Sequence, residues 1–291
     1  MVFPTSVQPI NKESLDRLDS IFKNAYIKIS AQIEGATSFG TYNRRAILAQ
    51  IEYILRTLGV DVNRFIETEI PEQYRAGAKD AVRQLEKVGA NIEVATGFNR
   101  VHQQAISALV DETGKSFAEA MTGVKRNISQ VINRSVKDQI TQQLATGRIA
   151  GDTVRATRAE ILQSFRENGF TALIDKAGRQ WSLDTYTTML IQTKSTESRN
   201  RGLVNRMVEN GWDLAQVSAH GATDVCGEWE GKIVSITGAT PGYPTLDEAT
   251  SDGLFHPNCR HAINVIEPSI ASQTKAYDPE TGAYVAGAGL Q

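Results

Sequence analysis

The chain has 291 residues, of which 41% are hydrophobic and 22% are charged, and its net charge is −2 at pH 7. These values are ordinary for a globular protein with one large domain or two smaller ones. The sequence contains no apolar run of membrane-spanning length, no signal-peptide pattern and only two cysteines, so we expect no membrane contact, no disulfide framework and synthesis in a reducing compartment.

The N-terminal part of the chain is predicted to be helical. Residues 1–10 contain two prolines and are predicted to form an extended arm that is either disordered or laid on a neighbouring subunit. Apolar residues then recur every three to four positions through residues 11–169, which we assign to a helical domain. Its first three helices are predicted from Asn11 to Gly35, from Thr41 to Gly59 and from Pro71 to Val88.

The longest periodic tract runs from Val101 to Leu144, with Gly114 and Gly123 as points where a helix could be interrupted. A further helix is predicted over residues 151–167. Because proline breaks helices, its absence between positions 71 and 241 agrees with a region of long helices.

Residues 170–268 are predicted to form a small α+β domain. A β-hairpin over residues 170–183 precedes a helix that is capped by Ser182 and closes at Asn210-Gly211. Three strands are expected at residues 214–219, 232–237 and 262–266, with the first and third as candidate neighbours. Residues 269–291 are poor core formers and are predicted to be a flexible or partner-bound tail. The predicted fold class is therefore α+β, an elongated and mainly helical N-terminal region followed by a small α+β C-terminal domain.

Candidate functional residues are concentrated between His220 and His261. Both cysteines, Cys226 and Cys259, lie in this segment together with three of the four histidines of the chain, the third being His256. In an extended strand residues two apart share a face, so Cys259 and His261 are expected to point the same way. We therefore treat the segment as one folded site.

Three interpretations of this site are open. A zinc site would use thiolates from Cys226 and Cys259 and two of the three imidazoles, for which we name His220 and His256, although the spacing matches no common zinc finger. A metal-free cluster would hold the cysteines as compact apolar groups and the histidines by hydrogen bonds to backbone carbonyls. A nucleophilic cysteine with His220 or His256 as its base is the third interpretation, and the sequence shows neither an orienting partner nor an oxyanion site for it.

Two neighbouring side chains have structural interpretations. Trp229 is expected to fill the core of the small domain, with its indole nitrogen bonded to a backbone carbonyl. Arg260 either forms an ion pair with Glu228 or Glu230 or is solvated.

Charge is unevenly distributed along the chain. Residues 100–210 carry a net charge of +5 and residues 211–291 carry −7. Basic side chains in the first of these regions are candidates for sequence-independent contact with DNA phosphates, although the same charge also fits a solvated helical surface. The candidates are Lys125, Arg126, Arg199, Arg201 and Arg206.

The ordered motifs DKAGRQWSLDTYTTMLIQT (175–193), GWDLAQVSAHGATDVCGEWEGKIVSITG (211–238) and GLFHPNCRH (253–261) resemble the C-terminal half of tailed-phage minor capsid proteins of the minor capsid protein 2 group, relatives of the Mu F-type head morphogenesis proteins. The likeness covers residues 170–268. Its signature positions are His220, Cys226, Trp229, Gly231, His256, Pro257, Asn258, Cys259, Arg260 and His261. The chain departs from the group at Gln192, where arginine is expected, and at His261, where cysteine often stands; the second exchange keeps a side chain that can bind metal.

The resemblance implies a low-copy structural protein of the virion that acts near the portal, in head assembly or in DNA delivery, and that has no enzymatic activity. The implied partners are the portal or major capsid protein, packaged DNA and other copies of the chain around the portal. The implied location is the phage head after synthesis in the host cytoplasm. Two alternatives remain, a non-specific DNA-binding protein that is packaged in or ejected from the virion and a hydrolase or toxin-like enzyme that uses the Cys/His cluster. A structural zinc ion is the one cofactor that we consider.

Overall fold

The computed structural model describes residues 10–146, 150–168, 170–174 and 179–266, together with strands at residues 276–278 and 283–285. Four helices come first in the chain: α1 (Lys12–Glu34), α2 (Thr41–Lys87), α3 (Arg100–Thr146) and α4 (Ala150–Asn168). A small sheet region follows, so the predicted α+β class with a mainly helical N-terminal region is confirmed. Among the described residues, no helix is both long and apolar enough to cross a membrane.

Helix α1 shows how the apolar periodicity produces these elements. Its buried residues include Leu18, Phe22, Ile29 and Ile33, which recur at the spacing of one helix face. The predicted helices at residues 101–144 and 151–167 are also confirmed, and neither Gly114 nor Gly123 interrupts α3.

Helix α2 corrects one prediction. Sequence reasoning ended one helix at Gly59 and began another at Pro71, whereas the structure has a single helix of 47 residues with Pro71 inside it. Val62, Phe65 and Ile66 between these positions are buried, and their burial stabilises helix where local signals predict a break. Pro71 has no N–H group and therefore removes one hydrogen-bond donor from the helix. The carbonyl of the preceding residue, Ile70, accepts a hydrogen bond from Ser198 Oγ at 2.7 Å.

The hairpin and the following helix are confirmed. Strands β1 (Thr171–Ile174) and β2 (Gln180–Ser182) pair in antiparallel fashion, and the turn predicted at residues 175–178 lies outside the described residues. Helix α5 covers Leu183–Glu209. It closes where the N–H of Trp212 donates to the carbonyl of Met207 at 2.9 Å, with Gly211 at a φ of 73°.

The three-stranded sheet has the order β4-β3-β5 and is antiparallel throughout. Its strands are β3 (Leu214–Val217), β4 (Ile233–Ser235) and β5 (Ile263–Val265), so the predicted pairing of the first and third strands is confirmed. Two short helices were not predicted: a 3₁₀ helix at Val225–Trp229 and α6 at Leu246–Ser251, which begins with a capping box of Thr245 and Glu248.

A large hydrophobic core packs against the sheet. It contains side chains from α2, from α5, from all three strands and from the loops that carry the cysteines. Its members include Ala81, Leu85, Leu203, Met207, Val217, Cys226, Trp229, Val234, Leu254, Cys259 and Val265.

The chain divides into two compact units. Unit 1 comprises Met1–Asn11, Thr68–Asp111 and Ile191–Gln291, and unit 2 comprises Lys12–Glu67 and Glu112–Leu190. These two units differ from the two domains predicted from the sequence, which were divided after residue 169. The difference arises because parts of α2 and α3 belong to the unit that holds the sheet. Of the predicted arm only Ile10 is described, and within the predicted tail β6 (Ala276–Asp278) pairs antiparallel with β7 (Ala283–Val285).

Candidate functional site

The predicted site residues of the His220–His261 segment converge in unit 1. Cys226 lies in the 3₁₀ helix, and Cys259 lies in the turn that leads from His256 to His261 and on into β5. The backbone of this turn is unusual, since Phe255 and Asn258 have φ values of 67° and 66°. Asparagine tolerates this left-handed region well, whereas a bulky phenylalanine in it indicates local strain that the surrounding contacts maintain.

The two cysteines face each other in the core. Their sulfurs are 3.4 Å apart, and both residues are buried. The Sγ of Cys259 also lies 3.2 Å from Nδ1 of His261, which is only 1% exposed. Cys226 Sγ contacts the carbonyl of Gly253 at 3.5 Å. The prediction that Cys259 and His261 share a face is confirmed, and Arg260 between them is exposed.

Glu230 organises the histidine side of the cluster. Its carboxylate accepts the backbone N–H groups of His220, Gly221 and Ala222 at 2.9–3.1 Å, and Nε2 of His261 lies 3.1 Å from Oε1. The backbone donors at His220 and Ala222 contribute most to lowering the pKa of Glu230, to about 2. Burial lowers the pKa of His261, so the neutral ring is favoured.

His220 lies against His261 with 4.3 Å between the ring centroids. Its Nδ1 is 3.7 Å from Glu230 Oε1, and its buried Nε2 has no hydrogen-bond partner. This unpaired nitrogen is one of the few buried polar side-chain atoms without a partner in the described part of the chain.

His256 occupies the other side of Cys226. Its Nε2 lies 3.0 Å from Asp224 Oδ2, and its Nδ1 lies 2.8 Å from the carbonyl of Pro257. Asp224 also caps the 3₁₀ helix by accepting the N–H of Cys226 at 3.1 Å. Three sets of side chains have ligand atoms within 4.8 Å of one another: Cys226, Cys259 and His261; His220, Glu230 and His261; and Asp224, Cys226 and His256.

The predicted zinc ligands were Cys226, Cys259, His256 and His220. The structure brings the two cysteines together, but the imidazole nearest to them belongs to His261 and not to His220. Sequence reasoning also missed Asp224 and Glu230. Acidic residues are common in solvated loops, so these two did not stand out in the sequence. Only their position between His220 and His256 could have indicated that they belong to the site.

The other signature positions support the site. Trp229 is 6% exposed in the core, as predicted, and Lys232 Nζ lies 4.6 Å from the centre of its ring. Gly231, at a φ of 75°, donates its N–H to the carbonyl of Val217 at 3.0 Å. Asn258 donates its N–H to Oγ1 of Thr193 in α5 at 3.1 Å, and Pro257 precedes it on the surface.

Of the two open interpretations of Arg260, the structure favours solvation. The carboxylate of Glu230 is used by backbone N–H groups and by His261, whereas Arg260 is exposed. The solvated interpretation of Arg260 therefore replaces the ion pair with Glu230.

The surroundings of Cys259 do not favour it as a nucleophile. Burial raises the pKa of the Cys259 thiol to about 12, so the thiolate that would attack a substrate is suppressed. The imidazole beside Cys259 is His261, which is not one of the two candidate bases. The candidate base His256 has a ring nitrogen within 4.8 Å of Cys226 Sγ, so the pairing of Cys226 with His256 stays a prediction.

A second buried polar network lies elsewhere in unit 1 and involves the fourth histidine, His102. Its Nδ1 is 2.9 Å from the hydroxyl of Tyr74, and its Nε2 is 2.9 Å from Glu209 Oε2. Arg206 donates to the same carboxylate oxygen at 2.7 Å and to the carbonyls of Val94 and Gly97. No sequence pattern predicted this network, because its members are spread over three separate segments.

This network corrects one proposed DNA contact. The side chain of Arg206 is 1% exposed, so it is not a surface cation. Arg199 pairs with Asp80 and is 27% exposed, Lys125 is partly buried, and Arg126 and Arg201 are exposed.

Comparisons with known proteins agree with this architecture. The sequence model of the family described as phage minor capsid protein 2 matches residues 41–281, which is most of the chain. The chain therefore belongs to the phage minor capsid protein 2 family, a family of phage structural proteins. It is also similar to a protein of Lactococcus phage LL-H named "Structural protein", with 29% identity over 120 residues. That match covers 38% of this chain and 32% of the relative, so the chain spans about a third of the relative's length. No solved structure matches significantly.

Proposed function

We propose that the protein is a minor structural component of the phage head that acts near the portal, in head assembly or in DNA delivery. The observation that carries this proposal is the family match, which includes most of the helical region as well as the sheet and the Cys/His cluster. The buried cluster supports a structural role, because its groups contact one another in the core and burial suppresses the thiolate of Cys259.

The helices of unit 2 offer surface for contacts with other virion proteins. Large apolar side chains there are strongly exposed, namely Tyr42 (85%), Leu144 (83%), Ile27 (66%) and Tyr53 (64%). Burying such side chains against a partner is favourable, at about 25 cal/mol per Å² of apolar area. We propose the portal protein or the major capsid protein as this partner, with other copies of the chain arranged around the portal.

Two measurements test the proposal. Mass spectrometry of purified particles should detect the chain at a copy number far below that of the major capsid protein. A pull-down with the portal protein of the same phage should retain the wild-type chain and lose the double variant Tyr42→Ser/Leu144→Ser. The matched control is Arg45→Ser, an exposed polar site on the same helix as Tyr42, which should bind normally. Absence from particles together with absence of binding to portal and capsid proteins would rule the proposal out.

Contact with packaged DNA is a second candidate function, favoured by the exposure of Arg126 and Arg201. Such contact would be independent of sequence and would weaken steeply with salt. DNA binding that is absent at low salt, or unchanged in the variant Arg126→Gln/Arg201→Gln, would exclude it.

A further inference from the structure

We propose that Cys226, Cys259 and His261 bind a zinc ion, with His256 as the fourth ligand. Three potential ligand atoms converge in the core: the two sulfurs and Nδ1 of His261 all lie within 4.8 Å of one another. Thiolates and imidazoles are the ligands of structural zinc sites, and the combination of two cysteines and two histidines is one of the common sets.

The spacing of these atoms fits a tetrahedral centre. With bonds of about 2.3 Å to sulfur and about 2.0 Å to nitrogen, a tetrahedral zinc ion separates two sulfurs by about 3.8 Å and a sulfur from a nitrogen by about 3.5 Å. The two sulfurs are 3.4 Å apart, and Cys259 Sγ is 3.2 Å from His261 Nδ1. Outward shifts of a few tenths of an ångström would therefore accommodate the ion.

Glu230 orients the His261 ring for metal binding. The carboxylate can only accept hydrogen bonds, so its contact with His261 Nε2 places the ring proton on that nitrogen. Nδ1 then presents its lone pair to the sulfurs. A carboxylate on the far nitrogen of a ligating histidine is the usual support of a zinc ligand, and three backbone N–H groups hold this carboxylate in place.

His256 is the better of the two remaining imidazoles. One of its ring nitrogens lies within 4.8 Å of Cys226 Sγ, whereas His220 groups with Glu230 and His261 and with neither sulfur. Binding zinc would require one ring nitrogen of His256 to exchange its present acceptor, Asp224 Oδ2 or the carbonyl of Pro257, for the metal. A zinc ion bound in this way would join the 3₁₀ helix, the turn from His256 and the start of β5. This link would stabilise a region with little regular secondary structure.

A metal-free S–H···N hydrogen bond between Cys259 and His261 would use the same contact, so the experiment must separate the two. The full-length chain is produced with zinc in the medium, purified under reducing conditions and analysed for metal by mass spectrometry. We expect about one zinc ion per chain in the wild type and in His220→Gln, the matched control, because His220 is stacked on His261 but is not a ligand. The variants Cys226→Ser, Cys259→Ser and His261→Gln should hold less than about a tenth of that amount, and His256→Gln should bind zinc at least about tenfold more weakly.

A second measurement does not depend on the folding of the variants. Treatment of the wild-type chain with a zinc chelator should lower its thermal unfolding midpoint, and added zinc should restore it. Replacement of zinc by Co²⁺ should produce a thiolate-to-metal charge-transfer absorption band. The proposal is overturned if the wild-type chain binds less than about a tenth of an equivalent of zinc after reconstitution, or if it shows no such band with Co²⁺. It is also overturned if the His220→Gln variant loses zinc as completely as Cys226→Ser. These outcomes are independent of whether the protein is found in the virion.

Discussion

Glu230 and His261 form a hydrogen bond of 3.1 Å between Oε1 and Nε2, and this bond links the backbone of the loop after β3 to the cysteine pair. The same carboxylate accepts the N–H groups of residues 220–222, so one side chain fixes both a loop and a histidine. The backbone donors at His220 and Ala222 contribute most to stabilising the ionised form, which lowers the pKa of Glu230 to about 2.

Replacement of Glu230 by glutamine should therefore destabilise this region. An amide keeps one acceptor, but it loses the charge and turns an NH₂ group toward backbone donors that need an acceptor. We expect Glu230→Gln to lower the urea midpoint of unfolding at pH 7, whereas the exposed neighbour Glu228→Gln leaves it unchanged. Equal midpoints for the two variants would show that Glu230 does not organise the loop.

The sequence predicted the architecture well because most of its elements have strong local signals. The apolar period of α1 and α3, the hairpin before α5 and the glycine at the end of α5 each mark one element without reference to the rest. The break between Gly59 and Pro71 was wrong because both residues oppose helix locally, whereas burial of Val62, Phe65 and Ile66 favours it. The short helix Leu246–Ser251 escaped prediction because it is too short for a periodic pattern.

The candidate site was predictable in its membership but not in its contacts. Cysteine and histidine are uncommon in this chain, and both cysteines lie in one segment with three of the four histidines. This concentration identified them as members of one site. Sequence spacing could not show that His261 and not His220 lies beside Cys259, because that choice depends on the path of the turn at Phe255 and Asn258. The network of Tyr74, His102 and Glu209 had no sequence signal at all.

Two glycines allow α2 and α5 to approach closely in unit 1. A Cβ at Gly77 would overlap the carbonyl oxygen of Arg199, and a Cβ at Gly202 would overlap that of Tyr74. We expect Gly77→Ala and Gly202→Ala each to cost about 1–3 kcal/mol or more, because neither helix backbone can move without disturbing the core between them. Chemical denaturation followed by circular dichroism measures this cost.

The control for this prediction is Gly59→Ala in α2. No atom lies within 4 Å of a Cβ at this position, so alanine should raise stability by up to about 1 kcal/mol through its higher helix propensity. A loss of stability at Gly59 similar to the loss at Gly77 would indicate that the close approach of α2 and α5 does not determine the cost at Gly77.

Arg206 and Arg201 should differ in their response to the same conservative substitution. The buried guanidinium of Arg206 bonds Glu209 and two carbonyls and lies 5.3 Å from the centre of the Phe98 ring, a set that a lysine cannot reproduce. We expect Arg206→Lys to destabilise the protein by about 1–3 kcal/mol. Arg201→Lys, at an exposed position, should change stability by less than about 0.5 kcal/mol. Thermal unfolding compares the two variants. An Arg206→Lys variant as stable as the wild type would contradict the proposed role of the buried guanidinium.

The contribution of Asp213 to the stability of the fold should depend on pH. Its carboxylate accepts hydrogen bonds from the hydroxyls of Ser235, Thr237 and Thr240 and from the backbone N–H groups of Thr237 and Thr240, which closes the loop after β4. Desolvation opposes ionisation, but these hydrogen bonds outweigh it and lower the pKa of Asp213 from 3.8 to about 2.

A pKa lowered by folding means that the folded state binds the proton more weakly than the unfolded state. The stabilisation is therefore fully present above about pH 4 and is lost as the pH falls toward 2. At pH 7 we expect Asp213→Asn to be less stable than the wild type by about 1 kcal/mol, after allowance for solvent screening of this partly exposed group. Urea unfolding at several pH values should show the difference shrinking between pH 4 and pH 2, whereas the exposed Asp138→Asn shows no such change. A difference that stays constant across this range would mean that ionised Asp213 does not stabilise the loop.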